Sequence, residues 1–225
     1  MKEPVRKIFQ VLIFVTFGLL AIHTYFVLYG SQYDGKFAEI LISRFDINKE
    51  ANIPTWFSTI LLFSVSVTSL LIYCLNFRLP KKNFFQGVFW LIFGGMYCFL
   101  SIDEAAMIHE IIDQTTSVKW IFVYAPIVGS FFLMCAYYFL VVRRSERIFR
   151  YWVIGGLIVH ALGGIGAEWV AYAMNLKYAY RMIEYVVEEG FELIGTAMVL
   201  MGCLHELKNQ FNKRYSLKSD NTHLF

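Results

Sequence analysis

The sequence predicts an all-α, polytopic membrane protein with six transmembrane helices and both termini in the cytoplasm. Three observations predict this. The first is composition: 58% of the residues are hydrophobic and 16% charged, against about half and about a quarter in soluble domains. The second is the recurrence of apolar runs near the length of about 20 residues that a membrane crossing needs. Six occur, at about 8–29, 55–77, 84–109, 120–142, 151–174 and 182–206. The third is the side-to-side distribution of Lys and Arg. The N-terminus, the second-to-third and fourth-to-fifth connections and the tail hold fourteen (Lys2, Arg6, Lys7, Arg78, Lys81, Lys82, Arg143, Arg144, Arg147, Arg150, Lys208, Lys213, Arg214 and Lys218). The opposite connections hold six: Lys36, Arg44, Lys49, Lys119, Lys177 and Arg181. Basic residues gather on the cytoplasmic side, so an even number of spans puts both ends there. The localisation that follows is a cell (inner or plasma) membrane, crossed many times.

The first span follows Lys2, Arg6 and Lys7, as a signal peptide would. Its apolar run continues to Tyr29 and no Ala-x-Ala site follows, so it reads as an uncleaved helix. The loop 30–53 then faces outward. In it Phe37, Ile40, Leu41 and Phe45 recur at helical spacing with Lys36, Glu39 and Arg44 between them. This predicts a short amphipathic helix, either lying on the outer membrane surface or packed on the bundle as a lid. Pro54 suits the first turn of the second span. Residues 1–207 make one transmembrane domain, and 208–225 a polar cytoplasmic tail expected to be disordered. Cys74, Cys98, Cys135 and Cys203 all lie in apolar runs without CxxC spacing and read as small buried hydrophobes. No Walker loop, dinucleotide fingerprint or zinc-finger spacing is present. The basic residues fall in short clusters between apolar spans, which excludes a nucleic-acid partner. The lipid bilayer is the expected one.

Ionisable residues within the spans carry the functional signal. At about 1.5 Å of rise per residue, Asp103 and Glu104 fall in the outer part of the third span, with His109 and Glu110 at its outer end. Glu168 on the fifth span reaches a similar height. Glu184, Glu188, Glu189 and Glu192 descend the sixth from the outer surface towards the midplane, and His160 sits at about the level of Glu192. Acids from three separate helices thus converge on one half of the bilayer, where such groups usually face a wet cavity or a bundle interior. In a continuous third helix, Asp103, Met107, Glu110 and Gln114 share one face, and Glu104 and His109 point elsewhere. Gly156, His160, Gly164, Ala167 and Ala171 form a narrow face on the fifth that permits close packing. Glu184 and Asp113 read as solvated helix ends, and Glu189 as a partner of Arg181 or Lys177. His23 and His160 read first as hydrogen-bonded packing histidines. Trp56, Trp120 and Trp169 fit an interfacial aromatic belt.

Several carboxylates cannot all ionise together in a low dielectric. Either some are protonated or a cation neutralises them. A carboxylate and imidazole set without cysteine suits Mn, Fe, Zn, Mg or Ca. The candidate metal ligands are therefore Asp103, Glu104, His109, Glu110, His160, Glu168, Glu188 and Glu192. A divalent ion held there could activate water against a lipid or other small-molecule ester, as a metal-dependent membrane hydrolase. The alternatives are a cation- or proton-coupled transporter or channel, and a non-catalytic subunit or sensor. A di-iron site would want Glu-x-x-His pairs, which are absent. Below His160 and Glu192 few polar groups continue towards the cytoplasm, which weighs against a transport path.

Three strings, "EANIPTWFS" (50–58), "FLSIDEAAMIHE" (99–110) and "EEGFELIG" (188–195), resemble segments of uncharacterised polytopic bacterial membrane proteins. That resemblance implies a membrane fold and no activity. The Ser101-x-Asp103 pair with scattered histidines resembles the alkaline ceramidase and progestin-receptor superfamily. Its hydrolases are seven-helix proteins that hold zinc with three histidines beside a Ser and an Asp. The resemblance implies a metal-dependent hydrolase, although here six spans are expected and no His-x-x-x-His occurs.

Overall fold

The computed structural model describes residues 3–222 apart from Asn48, Glu50, 78–83, 143–146 and 175–177. The side chains of 77, 147–148, 168, 178–182 and 213–222 also lie outside the described residues. Every described element is helical: α1 (Glu3–Tyr29), α2 (Lys36–Phe45), α3 (Ile53–Phe77), α4 (Phe84–Ala106), α5 (Ile108–Thr115), α6 (Trp120–Tyr137), α7 (Arg147–Ala161), α8 (Glu168–Met174) and α9 (Tyr178–Thr222). Five stretches are long and apolar enough to cross a membrane: 3–32, 53–76, 84–106, 120–142 and 149–174. Helices suit such a medium because each backbone N–H and C=O is satisfied within the segment. Their hydroxyls follow the same rule. Thr16, Ser64, Thr68, Ser69 and Ser130 each donate to the carbonyl four residues back.

The sixth expected crossing, 182–206, falls in α9, which is not among the five. The physical reason is position. α9 packs against α1, α3 and α7 at once, so it can carry polar residues that a lipid-facing helix could not. It also runs to Thr222, through most of the segment read as a polar tail. The basic residues Arg78, Lys81, Lys82, Arg143 and Arg144, on which the orientation argument leans, lie outside the described residues.

Two crossings depart from a continuous α-helix. The expected third span, 84–109, breaks at Met107, whose φ of 56° and ψ of 41° are left-handed. The fifth loosens into a π-helical stretch over Leu162–Ala167, and α6 ends in another over Tyr138–Val142. Such bulges recur at functional sites.

The core is aromatic. Phe89, Trp90, Phe93, Tyr97, Phe139 and Phe149 are all buried, and Phe89 stacks on Tyr138 with ring centres 3.6 Å apart. α7 and α9 meet through glycines. A Cβ on Gly156 would stand 2.6 Å from the Gly195 carbonyl oxygen, and one on Gly195 2.6 Å from the Gly156 carbonyl oxygen. The obstacles are backbone atoms, which cannot turn aside. All four cysteines are free thiols; Cys135 and Cys203 are buried, while Cys74 is exposed.

α2 leaves its apolar face uncovered, with Phe37 78% and Ile40 58% exposed. The chain that follows it packs inward. Ile47 is buried and donates its amide to His23 Nδ1 at 3.1 Å. Asn52 ties the turn together, donating to the Asp46 and Lys49 carbonyls and accepting from the Thr55 amide.

Because the glycine contact leaves no room for a side chain, Gly156→Leu is expected to cost about 1–3 kcal/mol or more through overpacking. Thermal unfolding of the detergent-solubilised protein would read this. Gly18→Leu, at a glycine with open space around it, is the control and should leave the unfolding temperature nearly unchanged.

Candidate functional site

One cavity of about 530 Å³ occupies the end of the bundle that carries α5. It is lined from α3, α4, α5, α6, α7, the π-helical stretch, α9 and the loop residue Ile47. Its wall divides by chemistry. Leu62, Met96, Leu100, Val128, Phe131, Phe132 and Leu157 make an apolar floor. Above it stand seven carboxylates, from Asp103, Glu104, Glu110, Asp113, Glu188, Glu189 and Glu192, and two imidazoles, from His109 and His160. No Lys or Arg is among the described lining residues.

The break at Met107 builds the polar wall. The Met107 amide closes the last turn of α4 on the Asp103 carbonyl at 2.7 Å. α5 then starts in a new direction. Asp103 Oδ1 accepts the His109 amide at 3.0 Å and the Tyr124 hydroxyl at 3.0 Å. Its Oδ2 lies 3.2 Å from His109 Nδ1. Asp103 therefore serves as a cap borrowed from the preceding helix, supplying an acceptor to an amide of the first turn of α5. It also sets the tautomer of His109. An Nδ1–H donating to the carboxylate leaves the lone pair on Nε2. Trp120 meets the His109 ring edge-on, with centres 5.6 Å apart.

Asp113 repeats the device at the other end of α5. Oδ1 accepts the Trp120 amide at 2.7 Å, and Oδ2 pairs with Lys119 Nζ at 2.6 Å. Desolvation works against its charge, but the bonds from Lys119 and the Trp120 amide outweigh it and hold the carboxyl below the ordinary range. This residue, read as a solvated helix end, is the cap that starts α6.

On the facing wall, His160 Nδ1 lies 3.2 Å from the Glu192 carbonyl oxygen and 3.1 Å from Thr196 Oγ1. Gly163 and Gly164 let the chain pass close to α9. A Cβ on Gly163 would stand 2.6 Å from the Glu188 carbonyl oxygen, and one on Gly164 would strike the Glu192 carboxylate.

Seven of the eight predicted ligands thus line one cavity: Asp103, Glu104, His109, Glu110, His160, Glu188 and Glu192. The side chain of the eighth, Glu168, lies outside the described residues, as do those of Arg181 and Lys177, the expected partners of Glu189. Glu189 also lines the cavity. Glu184, expected to be solvated, is buried. Phase on a continuous helix turned His109 away from Asp103; the break at Met107 brings the two together. Ser101 donates to the Thr59 carbonyl at 3.0 Å, joining α4 to α3, and is not among the cavity residues. Sequence reasoning missed Tyr124 as the third partner of Asp103. It also took Trp120 for a membrane-belt residue, although this ring lines the cavity. Their only signal was position, just after the acidic stretch.

Among the described residues, no three of His, Cys, Asp and Glu stand close enough together to hold one metal ion. The carboxylates are spread around the wall.

Two outcomes are expected of the carboxylate caps. Asp103→Asn places an amide opposite the His109 Nδ1–H and should shift the imidazole towards the other tautomer, visible in its ¹⁵N resonances, with a stability loss of about 1–3 kcal/mol. The Asp113 carboxyl has a lowered folded-state pKa, so its contribution is full above the unfolded value of about 3.9 and is lost as pH falls through the folded one. Amide exchange over residues 113–122 should therefore be protected at pH 5 and lose protection below about pH 3.9. Asp113→Asn should abolish that dependence.

A family model described as a domain of unknown function (DUF8692) matches residues 11–207. No curated protein and no solved structure matches the chain. The matched region spans every crossing segment and the whole cavity wall, and the chain belongs to this DUF8692 family.

Proposed function

We propose that this chain is a six-span membrane protein with cytoplasmic termini, and that its cavity opens outward and binds a divalent metal ion. One observation carries the reading. The described wall of the cavity holds seven carboxylates and two imidazoles and no Lys or Arg. In a low dielectric so many acids need either protons or a cation. The His109 imidazole, oriented by a carboxylate at Nδ1, has the arrangement of a metal-binding histidine whose other nitrogen is fixed by a second residue. The dispersal of the acids favours a hard, hydrated ion. Such an ion is held by one or two carboxylates and completes its shell with water or with oxygens of a bound ligand.

The sixth span is 182–206, inside α9, and the Lys and Arg distribution sets the orientation. The uncovered apolar face of α2 lies in the outer membrane surface. The apolar floor beneath the acids suits the hydrocarbon part of a lipid. In the hydrolase form of this reading the ion activates water against a lipid ester. Water is the attacking group, because the Ser101 hydroxyl is engaged with Thr59.

Elemental analysis and titration calorimetry with Mn²⁺ on detergent-purified protein test the reading. Bound or titratable metal is expected. Asp103→Asn should weaken it by about 10–100-fold, as loss of an orienting partner does, and addition of Glu188→Gln should weaken it further. Wild-type protein that neither carries nor takes up a divalent ion would overturn the reading.

A further inference from the structure

We propose that a proton path runs along α9 from the cavity floor to the opposite, cytoplasmic end of the bundle. It goes beyond metal binding and uses none of the candidate metal ligands. Its starting point is Tyr97, a cavity residue only 1% exposed. The Tyr97 phenol lies within electrostatic reach of the Cys203 thiol. Cys203 Sγ is 3.8 Å from Ser69 Oγ on α3, and Cys203 in turn feels the Glu206 carboxyl. Gln210 Nε2 donates to Glu206 Oε1 at 2.6 Å. Ser69, Cys203 and Glu206 are each 0% exposed and Gln210 3%.

The spacing 203, 206, 210 places these three residues on one stripe of α9. Below Ser69, two turns along α3, buried Asn76 continues the line. The impression from sequence that polarity stops near His160 and Glu192 is therefore incomplete. Polar groups from two helices meet in one seam, which neither helix reveals alone. An apolar contact would hold α3 against α9 without the desolvation that each of these groups costs. An intramembrane carboxyl group points to ion or proton movement as its default role. The competing explanation is polar adhesion between helices, which predicts no flux.

The transfer conserves every group. A proton from cavity water adds to the Tyr97 oxygen as the phenol's own hydrogen passes to the Cys203–Ser69 pair. That pair accepts one proton and releases one. The Ser69 hydroxyl, which donates to the Val65 carbonyl at 2.7 Å, must turn to pass it on. Glu206 receives the proton as its carboxylic acid and releases it to cytoplasmic water beyond Gln210. No electron moves. Around this end, α7 brings Arg150, which donates to the Phe139 carbonyl at 3.3 Å. α9 brings His205, 3.2 Å from the Asn209 side-chain nitrogen.

The test is proton flux into proteoliposomes loaded with a pH-sensitive dye, driven by a valinomycin and potassium diffusion potential. Wild-type protein is expected to carry protons faster than protein-free vesicles. Glu206→Gln and Tyr97→Phe should each reduce the flux to the protein-free level, and Glu206→Asp should retain it. Elution volume and unfolding temperature establish that each variant is folded. If Glu206→Gln is not, Tyr97→Phe, which keeps the ring in place, decides alone. Wild-type flux no faster than protein-free vesicles overturns the proposal, and so does undiminished flux in the folded variants. Mn²⁺ titration of the same preparations separates the two ideas. Glu206→Gln should keep wild-type Mn²⁺ binding. Flux without any Mn²⁺ binding removes the metal reading and leaves the path, and the reverse result removes the path alone.

Discussion

Asp103 is the residue on which the candidate site depends. A helix broken inside a bundle leaves amides of the new first turn without acceptors, a costly state away from water. Asp103 supplies an acceptor to the His109 amide and binds the His109 ring and the Tyr124 hydroxyl with the same carboxylate. One side chain thus joins the end of α4, the start of α5 and the wall of α6. Asp113 extends the chain of dependence by accepting the Trp120 amide. Without the first carboxylate the direction of α5 is unspecified, and with it the position of every polar group that α5 adds to the cavity.

The facing wall depends on a different constraint, which is closeness of backbone. Gly156 and Gly195 let α7 and α9 approach until only hydrogen fits between them. The glycines of the π-helical stretch then pass over Glu188 and Glu192. Close approach serves packing, since dispersion contacts are individually small and need many atoms in range. It also places the Glu192 carbonyl and Thr196 beside His160. The acids of α9 are thereby presented to the cavity at a height set by backbone contact rather than by salt bridges.

Much of this was legible in the chain. Hydrophobic run length marked the crossings because a bilayer sets the length an apolar helix must have. The rarity of carboxylates in such runs marked Asp103, Glu188 and Glu192, which do share a cavity. Helical phase failed at His109, because one left-handed residue, Met107, resets the phase for everything after it. Nothing about a methionine signals that conformation. It failed again for Glu184 and Asp113, where closeness to a helix end suggested water. Burial there is decided by neighbours from elsewhere in the chain.

The sequence by itself determined an all-helical, membrane-type chain with its acids concentrated at one depth. These follow from hydropathy and rise per residue, properties of each segment alone. Only the tertiary structure decided which acids share a wall, which imidazole a carboxylate orients, and that the polar residues of α3 and α9 form a single seam. Those are relations between segments far apart in the chain. They arise from close packing and from the need of each buried polar group for a partner.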